Sequence, residues 1–101
     1  MSTVLKANSN PAVDALTDED MDNLRHIVGA DPQYAKSSWG HRNYFAASPN
    51  TPNHESMERL VAAGYAKCSG ERFECLYYHA TPEGLDALGF TKAQKQRAMD
   101  W

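Results

Sequence analysis

Two cysteines, four histidines and a scatter of carboxylates are the side chains from which catalysis or metal ligation would most readily be built here. Their spacing offers little. No C-x-x-C or H-x-x-x-H pattern exists, no glycine-rich loop is placed to cradle phosphate, and no nucleophile–base pair is legible along the chain. Cys68 and Cys75 flank a short connection, Gly70-Glu71-Arg72, in a stretch that reads as a hairpin. If the ribbon turns between Glu71 and Arg72, the two thiols face each other across the strands. A reducing cytosol would keep such a pair open. His79 could share the face of Cys75, but a fourth ligand is not evident, so free, structurally placed thiols are the better reading than a redox or zinc role. His41, His54 and His79 read as cap, loop and ribbon residues. The expectation is a chain that is not an enzyme, with no catalytic residue, metal site or cofactor.

The elements that would position any site are clearest between Glu55 and Leu88. Met57, Leu60 and Val61 fall at i, i+3 and i+4, one apolar stripe of a helix, with Glu55, Glu58 and Arg59 on its wet side. Gly64 is the left-handed stop. Tyr65 to Ser69 and Phe73 to Ala80 then read as two strands. Thr81-Pro82-Glu83-Gly84 opens the next helix, with Thr81 as N-cap, Pro82 at its first position, Leu85 and Leu88 facing inward and Gly89 ending it.

Upstream, Met1 to about Ala15 is polar and reads as a flexible, loosely docked arm that Val4, Leu5 and Val13 could pin. Thr17 caps a helix whose first turn carries Asp18, Glu19 and Asp20, where the helix dipole favours negative charge. Its stripe is Met21, Leu24, Ile27 and Val28, and Gly29 stops it. Pro32 is placed to begin a short helix through Tyr34 and Ala35. Trp39, Tyr44 and Phe45 then crowd together around His41, Arg42 and Asn43, a cluster able to stack bases or hold a partner peptide. Tyr44 and Phe45 are expected in the core, Trp39 either there or at the surface, and the plainer reading of Arg42 and Asn43 is that they satisfy carbonyls at a helix end. Ser48 to Asn53 is a loop, with Thr51 or Asn53 capping a helix that begins near His54. At the far end, Thr91 and Gln94 match a capping box, so Lys92 to Asp100 reads as a terminal helix. Phe90, Met99 and Trp101 are available to dock it.

The chain has 101 residues, 42% apolar and 23% charged, with a formal net charge of −3 and a pI near 5.7. That is one small domain, 16–101, behind the arm of 1–15. The acidic balance argues against a broad nucleic-acid or anionic-membrane surface. No apolar run approaches a membrane span and no signal segment opens the chain, so the cytoplasm is the expected compartment.

Helix, ribbon and capped helix in this order predict an α+β, mainly helical, winged-helix-like domain with one β-hairpin as its wing. Leu60-Val-Ala-Ala-Gly64, the ribbon, and Tyr78-His-Ala-Thr-Pro-Glu-Gly84 resemble the distal half of MarR-like winged-helix regulators. His41-Arg-Asn-Tyr-Phe45 followed by that unit is similar to a group of small phage and prophage proteins. The resemblance implies a fold and carries over no functional residue.

As a DNA reader the chain departs from the winged-helix pattern. Its candidate recognition helix presents Glu55 and Glu58 beside Arg59 alone, and major-groove readers offer Arg, Lys, Asn or Gln. The favoured expectation is a phage-type accessory module that binds a protein partner through Trp39, His41, Arg42, His54, Glu55, Glu58 and Arg59. The alternative is a DNA-binding transcriptional regulator using Asn53, His54, Arg59 and Arg72, with Lys92, Lys95 and Arg97 on phosphates. A homodimer through the terminal helix, Met99 and Trp101 is compatible with both.

Overall fold

The structure, a computed structural model, describes residues 10–101. Among them are five α-helices, one short 3-10 turn and one three-stranded antiparallel sheet, an α+β arrangement. Helix starts follow the local chemistry closely. Thr17 opens α2 (Asp18–Ile27) in a capping box with Asp20, Thr51 caps α3 (Pro52–Ala62), Thr81 caps α4 (Pro82–Ala87), and Thr91 with Gln94 boxes α5 (Lys92–Met99). Proline occupies the first turn of α3 and α4, where its missing N–H leaves nothing unpaired. Within the segment read as an arm, Pro11–Asp14 form one helical turn, α1, capped by Asn10, whose Nδ2 also donates to the Ala62 carbonyl at 3.3 Å. Val13 is half-buried; Val4 and Leu5 lie outside the described residues.

Residues 30–53 depart most from expectation. Pro32 enters a turn, and the only helical hydrogen bonding follows it, as the 3-10 turn Lys36–Ser38. Phe45–Ala47 is a strand, β1. A strand therefore precedes the Ser48–Thr51 loop where a helix-turn-helix would place its first helix. β1 pairs with β3 (Cys75–Ala80), which pairs in turn with β2 (Ala66–Arg72), giving the order β1-β3-β2. Alternation along β1 points Ala47 inward and buried, and leaves Tyr44 42% exposed, so Tyr44 is not the core residue its composition suggested. Phe45 is half-buried against the core, and Trp39 is half-buried against Phe90, their rings 6.2 Å apart.

The hairpin turns two residues later than expected. Phe73 and Glu74 are its two loop residues, both left-handed at φ 54° and 64°, and Arg72 pairs with Cys75. A bulge at Ser69 shifts the register again, so Cys68 lies opposite Tyr78. The two cysteines thus fall on opposite faces of the ribbon and are free thiols, not cross-strand neighbours.

Leu24, Ile27, Val28, Met57, Leu60, Tyr78 and Leu85 are fully buried and join helices α2, α3 and α4 to the inner face of the sheet. Phe90 closes this core beneath α5. Gly84 sits where a Cβ would overlap the Tyr65 carbonyl, which lets α4 lie directly against the strand entrance. Among the described residues no helix is long and apolar enough to cross a membrane.

Candidate functional site

Two places bring functional groups together, and they differ in what those groups face. The first is the seam between α2 and α3. Asp20, fully buried, accepts from Arg59 Nε and NH2 at 2.8 Å each, from Ser56 Oγ at 2.6 Å and from the Thr17 amide at 3.0 Å. Asn23 Nδ2 completes the chain by donating to Ser56 Oγ at 2.9 Å. The Arg59 guanidinium holds the Asp20 carboxyl well below the usual carboxylate range, and Asp20 in turn raises Arg59. This bidentate pair locks the two helices together. Arg59, the central cation of both expected surfaces, is therefore engaged within the fold.

The rest of the α3 set is similarly disposed. His54 Nδ1 accepts from the Asn50 amide at 2.9 Å, and its Nε2 faces Glu58 at 3.8 Å. Glu58 also accepts from the Tyr78 hydroxyl at 2.5 Å. Burial, and then the Glu58 carboxylate, push the Tyr78 phenol far up, so it stays neutral. Asn53 and Glu55 are exposed on the outer side of α3. In the aromatic cluster, Arg42 donates twice to the His26 carbonyl, at 3.0 and 2.8 Å, at the end of α2. Asn43 bridges Ala80 and Ala98, and His41 packs against Gly29 with Nδ1 3.1 Å from the Ser38 carbonyl. Trp39 lies under Lys36, 5.7 Å from its ring, and its buried indole nitrogen has no partner among the described residues. The expected phosphate contacts are divided. Lys95 pairs with Asp86 at 2.6 Å and Arg97 donates to the Trp39 carbonyl at 2.6 Å, whereas Lys92 and Arg72 are exposed.

The second place is the outer face of the sheet, which sequence reasoning passed over. Cys75, Tyr77 and His79 alternate outward along β3, opposite Arg72, Gly70 and Lys67 of β2. Tyr44 stacks on Tyr77 with centroids 6.4 Å apart and planes at 20°, and Trp101 stacks on Tyr44 at 5.3 Å and 15°. Three near-parallel rings thus run across the face, and Trp101 is 59% exposed. They border a groove of about 470 Å³ lined also by Ser69, Gly70, Glu71, Arg72 and His79. The period-two pattern of residues 75–80 is the signal that could have placed Tyr77 and His79 here. The arrival of Tyr44 and Trp101 depends on the pairing of β1 and the path of α5.

Within that groove the fold assembles a hydroxyl–imidazole pair invisible in the spacing. His79 Nδ1 lies 2.6 Å from the Asn43 carbonyl and must donate to it, leaving Nε2 to accept from Ser69 Oγ at 3.0 Å. A nucleophile and its base need this order of partners. Here, however, the hydroxyl is on an exposed bulge and has a second acceptor, the Tyr77 carbonyl at 3.3 Å, so its proton is shared between two directions. The pair ties β2 to β3 and fixes the His79 ring at the groove floor. Among the described residues, no three side chains come together as metal ligands.

Thus the outer sheet face, with its aromatic rings and outward donors, is the best-formed candidate site. No protein-family model matches the chain, and neither any curated protein nor any solved structure matches it.

Proposed function

We propose that this protein is a non-enzymatic, winged-helix-like accessory module of the phage and prophage kind, and that it engages a protein partner through the outer face of its sheet. The order β1-β3-β2, with α3 leading into the hairpin, supports the winged-helix-like reading. The observation that carries the function is the ring stack of Tyr77, Tyr44 and Trp101, in which Tyr77 is half-buried and Tyr44 and Trp101 are exposed. Exposed aromatic rings with polar tips are the residues that dominate protein interfaces. DNA recognition draws less support. Three of its five expected arginines and lysines, Arg59, Lys95 and Arg97, are held by the protein itself, and α3 offers two carboxylates outward.

The test is site-specific photo-cross-linking in cells that make the protein, with p-benzoylphenylalanine replacing Tyr44 in one variant and Glu55 in another. The expected result is a defined protein adduct from position 44, lost when Trp101→Ser is added, and none from position 55. Adducts to nucleic acid alone, or duplex-DNA binding that weakens steeply with salt, would overturn the reading in favour of the regulator.

A further inference from the structure

The same face carries a hydrogen-bonding asymmetry that narrows the chemistry of the partner. Tyr77 stands between Ala46 on β1 and Gly70 on β2, its direct cross-strand neighbours, and neither can crowd its ring. A Cβ on Gly70 would meet nothing within 4 Å, so the trough beside Tyr77 is open along β2. The open polar groups that border it, the Glu71 carboxylate apart, can all donate. The hydroxyls of Tyr44 and Tyr77, the indole N–H of Trp101 and the Arg72 guanidinium take part in no hydrogen bond or ion pair among the described residues. The acceptors deeper in the groove are already satisfied, because Ser69 and His79 bond each other and the strand carbonyls.

A ligand that complements this surface has flat apolar rings, backbone acceptors pointing outward and few N–H groups. A polyproline II segment has that inventory: proline carries no N–H, the helix makes no internal hydrogen bonds, and its carbonyls face outward. It also loses little entropy on binding, since it is stiff beforehand. An added β-strand would need a continuous edge, and the bulge at Ser69, with Gly70 at φ 121°, interrupts β2. Single-stranded nucleic acid could stack on the same rings, but Glu71 and Glu74 sit beside Arg72 on a chain of net charge −3 and repel phosphate.

We infer that the outer sheet face is a docking groove for a proline-rich, polyproline II segment of the partner. Rings seat on Tyr44, Tyr77 and Trp101, ligand carbonyls accept from the donors left open among the described residues, and Glu71 favours a basic residue flanking the prolines. The inference rests on the protein-binding reading of this face.

It is tested by titrating the full chain with capped decaproline, an equally long alanine–glutamine peptide and a thymidine decanucleotide, following heat and tryptophan fluorescence. The expected result is saturable binding of decaproline alone. Binding should weaken about tenfold or more in Tyr44→Ser and in Trp101→Ser, and largely survive in Trp101→Phe, with circular dichroism unchanged in all three. No saturation at millimolar decaproline, or preference for the oligonucleotide, would overturn it. So would a native dimer that Trp101→Ser dissociates, because the face would then belong to a second copy. The cross-linking at position 44 separates the two failures. An identified partner peptide without a proline-rich stretch removes this inference and leaves the protein-binding reading standing, and nucleic-acid adducts alone remove both.

Discussion

The α2–α3 seam and the ring stack on the outer face of the sheet treat their polar groups in opposite ways. In the seam, Asp20, Arg59, Ser56 and Asn23 point at one another, and the buried carboxylate has a partner in every direction it needs. On the sheet, the rings of Tyr44, Tyr77 and Trp101 stack on one another, and their polar tips have no hydrogen-bond partner among the described residues. A polar group satisfied internally contributes to specifying the fold. One that the fold leaves with an open donor is available to something else.

The largest expected effect lies in the seam. Arg59→Ala should cost about 3 kcal/mol in urea unfolding, the low end for breaking a buried pair because the arginine itself reaches solvent while Asp20 does not. A much smaller loss would mean that the seam does not hold α2 on α3, and the contrast with the sheet face would fail. The same carboxylate sets the acid limit. Its folded pKa is depressed, so its contribution is full above the ordinary carboxylate range and is lost as pH falls below about 4. Tyr78, whose folded pKa is raised, works in the opposite sense: its contribution is present below about pH 10 and is lost as pH rises further. Stability measured from pH 2 to 11 should therefore fall at both ends, and Asp20→Asn should flatten the acid limb selectively.

Next in size, Gly84→Ala should destabilise by about 2 kcal/mol, because its new methyl meets the Tyr65 carbonyl and backbone cannot move aside as a side chain would. Thermal unfolding of that variant checks whether the helix–strand contact is as close as the fold requires. On the sheet side the sign should reverse. Phe73 and Glu74 occupy two left-handed positions at the hairpin tip, where asparagine and glycine fit without strain. Replacing the pair, Phe73→Asn with Glu74→Gly, should stabilise the protein by about 1 kcal/mol in the same assay. The smallest effect belongs to the ring stack. Tyr44→Ser and Trp101→Ser should each stay within about 0.5 kcal/mol of the parent, since both residues lie at the surface, 42% and 59% exposed. A large loss there would make the rings structural and end their claim to be a docking surface.

Much of this contrast was legible from residue types, though unevenly. The acidic first turn of α2 reads as helix-start electrostatics, which is true of Asp18 and Glu19, but Asp20 turns inward and accepts from α3. Arg59 reads as a wet-side cation because it lies off the Met57, Leu60 and Val61 stripe, beside Glu55 and Glu58. Its engagement with a residue in another helix leaves no mark on local periodicity. The cysteines were misplaced for a related reason. A hairpin's register is set by where it turns, and the Phe73–Glu74 turn contains neither glycine nor asparagine to announce it.

What the sequence determined by itself is the set of features that close within one turn of chain. Thr17, Thr51, Thr81 and Thr91 each accept from an amide three residues on, and Gly29, Gly64 and Gly89 take the left-handed positions that end helices. Those bonds need only the right residue at the right offset, and the apolar stripes of α2 and α3 need only a helical period. Tertiary structure alone decided that Phe45–Ala47 would be a strand, that Arg59 would meet Asp20, and that Tyr44, Tyr77 and Trp101 would form one stack. Each of these joins groups far apart in the chain, and their meeting depends on the angle at which whole elements pack, which no single stretch of residues encodes.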